Sequence, residues 1–283
     1  MKLSNPILLA VALALASTSA ASADTLYGST ASGGSGELYI LNPATGGAIQ
    51  DVGPLNDALN VNYGVTGLAF NPATGLLYGS TGNADAATAA KLIQINPLTG
   101  LVTVIGDFNV AGSTMADLAF DSAGNLYGIG SRGGPQLYSI NLLTGQATIV
   151  GAGSSLTSTS GGGLAISPSG GFFGTPTASR FGTYDSTTGA YANIANPAKP
   201  AGGGAYAALD FDGNVLYGLN SGPGTPPPTH LVTIDTVTGA VTDLGASVFS
   251  LDAIAFAPVP EPGTVTLLCA GLVLGLAVKH RRK

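Results

Sequence analysis

Asp121-Ser122-Ala123-Gly124-Asn125-Leu126-Tyr127-Gly128, then Leu137-Tyr138-Ser139-Ile140-Asn141-Leu142-Leu143-Thr144-Gly145 and Ala147-Thr148-Ile149-Val150, hold the pattern that organises the whole chain. Short apolar and aromatic runs are divided by Gly, Asn and Asp, which reads as strands joined by tight turns. The Asn141 side chain suits a turn cap, and Gly145 suits the positive φ that must precede the next strand. Residues 137–140 and 147–150 are therefore expected to form a hairpin.

Moving outward, the same signals recur. Leu126-Tyr127-Gly128 has counterparts at Leu26-Tyr27-Gly28, Leu77-Tyr78-Gly79, Phe172-Phe173-Gly174 and Leu216-Tyr217-Gly218, at successive offsets of 51, 49, 46 and 44 residues. The Asx-x-x-Thr-Gly turn recurs at Asn42–Gly46, Asn96–Gly100, Asp185–Gly189 and Asp235–Gly239. The strand after that turn ends at Gly53, Gly106, Gly151 and Gly245, with Ala195 in the fourth copy. A third signature precedes each Leu-Tyr-Gly: Leu68-Ala69-Phe70, Leu118-Ala119-Phe120, Leu164-Ala165-Ile166 and Leu209-Asp210-Phe211, with Ile254-Ala255-Phe256 at the end. Four strands in a unit of about 47 residues match a propeller blade. The fold expected is all-β, a five-bladed β-propeller. The first copy lacks its Leu-Ala-Phe strand and the chain ends with a spare one, so the last strand is expected to complete the first blade and close the ring. A β-sandwich also accommodates short, regularly spaced strands. The repeats resemble the Leu-Tyr-x-Ile-Asx-x-x-Thr-Gly units of secreted propellers of the NHL and quinoprotein-like type. That resemblance speaks to fold and not to activity.

The two ends read as addresses. Residues 1–23 have Lys2, an apolar run from Ile7 to Ala16, and Ala21-Ser22-Ala23 before Asp24, the layout of a secretory signal peptide. Residues 259–283 contain Pro260-Glu261-Pro262, an apolar stretch from Gly263 to Val278, and the basic end Lys279-His280-Arg281-Arg282-Lys283. As a helix the apolar stretch would span about 24 Å, and its basic flank would stay cytoplasmic. This tail resembles the PEP-CTERM sorting signal. The resemblance implies processing by an exosortase in a Gram-negative bacterium, anchoring in the inner membrane before processing, and later display on the cell surface or release among exopolysaccharide. Residues 24–258 are then the exported domain.

Composition narrows the partners of that domain. It has four basic residues, Lys91, Arg132, Arg180 and Lys199, against fourteen acidic ones, a net charge of about −10. This balance disfavours nucleic acid and anionic lipid, and leaves the membrane as a partner only through the C-terminal helix. It suits neutral glycans, divalent cations or basic proteins. The one cysteine, Cys269, lies in the apolar tail, so the domain has no disulfide.

The candidate site residues are acids. Asp210 replaces the alanine found at 69, 119, 165 and 255, Asp117 stands two positions from its own repeat alanine, and Asp212 follows Asp210. Together they are candidate ligands for calcium, which takes several oxygens. Asp212-Gly213-Asn214 also reads as an ordinary hairpin turn. Tyr27, Tyr78, Tyr127, Phe173 and Tyr217 share one repeat position and are expected to pack between blades. His230, the domain's one histidine, follows Pro226-Pro227-Pro228 and is read as a surface-loop residue. No catalytic constellation is expected. The functional expectation is an exported binding or scaffold protein of the surface or matrix, associated with exopolysaccharide or biofilm. The alternative is an extracellular metal-assisted lyase or hydrolase.

Overall fold

The computed structural model describes residues 24–31, 35–82, 86–130, 135–156 and 162–258. The signal peptide and the sorting tail, including Pro260, Glu261 and Pro262, lie outside the described residues. Thr25–Pro258 forms one compact unit.

Among the described residues, twenty strands form five four-stranded antiparallel sheets. The first sheet is completed from the far end of the chain: β1 (Thr25–Thr30), β2 (Glu37–Leu41) and β3 (Ala48–Pro54) are joined by β20 (Leu251–Ala257). Blade 2 is β4 (Val65–Phe70), β5 (Leu77–Thr81), β6 (Lys91–Ile95) and β7 (Val102–Asp107). Blade 3 is β8 (Met115–Phe120), β9 (Leu126–Gly130), β10 (Leu137–Ile140) and β11 (Ala147–Ile149). Blade 4 is β12 (Gly163–Ile166), β13 (Phe172–Thr177), β14 (Arg180–Tyr184) and β15 (Tyr191–Ala195). Blade 5 is β16 (Ala205–Asp212), β17 (Val215–Ser221), β18 (Thr229–Ile234) and β19 (Val241–Ala246).

The Leu-Ala-Phe strands β4, β8, β12, β16 and β20 are the innermost of their blades and pack against one another in a ring. Ring closure is therefore a ladder of hydrogen bonds, running from Thr25 opposite Ala257 to Thr30 opposite Leu251. Without β20, β1 would be an exposed edge. The closing strand is also core, since Ala253, Ile254 and Ala255 are fully buried.

The repeat signatures turn out to be the contacts between blades. In each Asx-x-x-Thr-Gly turn the Asx oxygen accepts the amide two residues on, as from Leu143 to Asn141 at 2.8 Å and from Val237 to Asp235 at 3.0 Å. The five turn glycines have φ of 69° to 76°, a left-handed conformation that a side chain resists. They also pack against the end of the preceding blade's outer strand. A Cβ added to Gly145 would lie 2.7 Å from Gly106, and one added to Gly106 would lie 2.1 Å from the Thr144 carbonyl oxygen. The two glycine signatures are thus two halves of one contact.

The Tyr/Phe column packs between blades as its periodicity suggests. Tyr27 meets Phe70 at 5.5 Å, Tyr78 meets Phe120 at 5.4 Å, Phe173 meets Phe211 at 5.7 Å, and Tyr217 meets Phe256 at 4.8 Å between ring centroids. Ile166 breaks the pattern in blade 4, and there Tyr127 takes Phe172 instead, edge-on at 4.9 Å. Each tilted or edge-to-face pair contributes roughly 0.5–1.5 kcal/mol beyond its buried area.

Candidate functional site

Where five inner strands converge, there is room only for small side chains, and their axis-facing edges leave amide hydrogens without a sheet partner. One column of the inner strands reads Gly67, Asp117, Gly163, Ala208, Ala253, and the next reads Ala69, Ala119, Ala165, Asp210, Ala255. Each column contains one carboxylate among Gly and Ala. Asp117 is fully buried. Its Oδ1 accepts the Leu118 amide at 2.9 Å, while Oδ2 accepts the Leu164 amide of blade 4 at 2.9 Å and the Leu209 amide of blade 5 at 3.0 Å. Asp210, half-buried, accepts the Phe211 amide at 2.8 Å through Oδ1 and the Phe256 amide of the closing strand at 2.7 Å through Oδ2. These acids supply acceptors to inner-strand edges that a pure Gly/Ala column would leave unpaired.

Burial drives the Asp117 pKa well above the usual carboxylate range. The three amide bonds pull it down, and the nearby Asp210 charge adds to the upward push.

The three acids grouped by the sequence have different places. Asp117 and Asp210 are engaged by amides of other blades, whereas Asp212 ends β16 opposite Val215, at the two-residue Gly213-Asn214 turn. Among the described residues no three of His, Cys, Asp or Glu gather in a cluster that could hold a metal ion.

A fourth acid was not singled out from the sequence. Four inner strands carry a β-bulge at the same repeat position, leaving Thr66, Ala116, Ala207 and Asp252 out of register. This level of the ring is tight. The Thr66 hydroxyl donates to the Met115 carbonyl of the next inner strand at 2.7 Å, and a Cβ on Gly162 would lie 2.4 Å from that of Ala116. Asp252 is the one charged member of this level, and its carboxyl has no hydrogen-bond partner among the described residues. Desolvation raises its pKa to about 7. The signal that would have found it is the column Thr66, Ala116, Gly162, Ala207, Asp252, two positions before the Leu/Ile of each signature.

His230 requires a correction. It lies not in a loop but on β18, opposite Asn220 and Ala246, because the strand begins directly after Pro228. Its Nδ1 is 3.0 Å from Oδ1 of Asp243 on the neighbouring strand β19.

Comparison with known proteins places the chain by its repeats. A family model described as a repeat of unknown function (DUF6923) matches residues 55–221, and the model of the PEP-CTERM protein-sorting motif matches residues 258–283. That motif marks the chain for export and for membrane anchoring before processing. No curated protein matches. Among solved structures, the chain is similar to a protein of unknown function from Bacteroides caccae, with 11% identity over 84% of this chain and 100% of that chain and a TM-score of 0.45. It is also similar to virginiamycin B lyase from Staphylococcus aureus, with 14% identity over 74% of this chain and 66% of that chain and a TM-score of 0.43. A puromycin hydrolase mutant, S511A, is 15% identical over 71% of this chain with a TM-score of 0.40, and the chain spans only 30% of that hydrolase's length. The repeat match extends over more than half of the sequence, and the chain belongs to the DUF6923 repeat family, built as a five-bladed propeller with a PEP-CTERM sorting motif.

Proposed function

We propose that the exported propeller is a scaffold of the cell surface or extracellular matrix that binds exopolysaccharide. On this reading a Gram-negative cell holds it in the inner membrane by its tail until an exosortase processes the motif at Pro260-Glu261-Pro262. The observation that carries a scaffold over a metal-assisted lyase or hydrolase is the engagement of Asp117 and Asp210. The carboxylates such a metal would need accept amides from three other strands and hold the ring together. A rigid closed ring with an acidic, thiol-free surface suits a neutral polymer, because it binds without reorganising.

The test is co-sedimentation of residues 24–258 with exopolysaccharide from the source bacterium, using the wild type and a folded Asp210→Ala variant. A scaffold sediments with the polymer in both forms and leaves its length unchanged. Shortening of the polymer by the wild type, lost in the variant, would establish the lyase or hydrolase instead.

A further inference from the structure

Blade 3 carries a groove lined in part by side chains that its sister blades lack. Across its ladders Tyr127 stands opposite Ser139, and Ser139 opposite Thr148, so the three form one row over β9, β10 and β11. The residues facing the Tyr or Phe column elsewhere are Ile40, Gln94, Thr183 and Thr233, all larger than Ser139. After the Thr-Gly turn, blade 3 places Gln146 where the others have Gly47, Leu101, Ala190 and Ala240. A groove of about 520 Å³ runs along this row, bordered by Asn125, Asn141, Leu142 and Gln146. That volume falls within the range of small-ligand sites.

Among the described residues, the lining contains no charged side chain. It offers hydroxyls from Tyr127 and Thr148, the Ser139 oxygen as an acceptor while its proton goes to the Thr148 carbonyl at 3.4 Å, and carboxamides from Asn125, Asn141 and Gln146. Asn141 Oδ1 is taken by the Leu143 and Thr144 amides, which leaves both its Nδ2 hydrogens to donate. Asn125 donates to Asp121 and keeps its oxygen to accept. The Tyr127 hydroxyl and the Gln146 carboxamide make no hydrogen bond among the described residues. The Tyr127 ring is fixed edge-on by Phe172, and Leu142 adds an apolar side. Interspersed neutral donors and acceptors beside a held aromatic ring complement a ligand with many hydroxyls and apolar C–H faces. The one adjoining charge, the Asp121 carboxylate bonded to Asn125, disfavours an anionic ligand.

We infer that this groove is a binding site for a segment of an uncharged oligosaccharide. The inference rests on the scaffold reading and names the site through which it acts. The sister blades show which substitutions the fold accepts here: Ser139→Ile copies blade 1 and Gln146→Leu copies blade 2.

The experiment titrates cellohexaose, maltohexaose and mannohexaose into residues 24–258, with an acidic oligogalacturonate of similar length as the charged probe. The expected result is saturable binding of at least one neutral hexaose. Its Kd should rise about fivefold or more in Gln146→Leu, the scale of one lost hydrogen bond, and binding should be lost in the double variant with an unchanged Tm. Saturable binding that both variants retain would overturn the groove as the site and leave the scaffold reading intact. Stronger binding of the oligogalacturonate would overturn the uncharged class. Binding of none of the hexaoses would overturn the inference, while co-sedimentation with whole exopolysaccharide decides separately whether the scaffold reading falls with it.

Discussion

Oδ2 of Asp117 accepts a hydrogen bond at 3.0 Å from the amide of Leu209, a residue 92 positions later and two blades away. The same oxygen accepts the Leu164 amide, so one buried carboxylate ties three inner strands together. Replacing Asp117 by Ala leaves the amides of Leu118, Leu164 and Leu209 without that acceptor in a dry site. The expected loss is about 3 kcal/mol or more in chemical denaturation, since each stranded buried donor costs on the order of 1 kcal/mol or more. Asp117→Asn keeps an acceptor oxygen and should lose less.

The acids near the axis set an unusual pH dependence. In the unfolded chain these carboxyls ionise at about pH 3.9, whereas in the folded protein Asp252 holds its proton to about 7 and Asp117 is also raised. Between those values the folded state binds more protons than the unfolded one, so stability falls as pH rises from about 4 to about 7. Asp57, Asp185 and Asp235 act in the opposite sense. Turn amides hold them below the usual carboxylate range, so their contribution is lost on acidification below about pH 4. Thermal unfolding should therefore give a higher Tm at pH 5 than at pH 8, with the difference reduced in Asp252→Asn.

The glycine contact between blades predicts a steric penalty. Gly106→Ala would drive a methyl to 2.1 Å from the Thr144 carbonyl oxygen, and the neighbour there is backbone and not a yielding side chain. A destabilisation of about 2–3 kcal/mol is expected from overpacking of this kind. Gly75→Ala, in a turn with open space around it but φ of 69°, separates the backbone effect from the clash and should cost about 1 kcal/mol.

Closure by β20 makes the ring depend on its last residues. Removing residues 251–258 takes away the buried Leu251, Ile254 and Phe256 and exposes the whole edge of β1. Sedimentation velocity should show this truncated domain as aggregate or as domain-swapped oligomers, where residues 24–258 remain compact.

The sequence carried most of the fold because its repeats are contacts. Asn141 and Gly145 are legible as a turn from their chemistry alone, and the spare Ile254-Ala255-Phe256 strand announces closure by simple counting. The site was less legible. Asp117 and Asp210 stand out in the repeat alignment as acids among Gly and Ala, but a sequence does not say whether such an acid faces a cation or a backbone amide. That distinction depends on how inner-strand edges meet around the axis, between residues 47 and 92 positions apart. Asp252 was hidden because its position is a bulge, and bulges leave no clear mark in an alternating pattern. The pairing of His230 with Asp243 depends on the register of β18 against β19, which the preceding run of prolines obscures.

The most direct test of the account is calorimetric titration of residues 24–258 with the source bacterium's exopolysaccharide, run once with calcium and once with a chelator. The scaffold reading predicts saturable heat of the same size in both, because the axial acids are holding strands and the side chains lining the proposed groove are neutral. An absence of heat, or heat that disappears with the chelator, would contradict it.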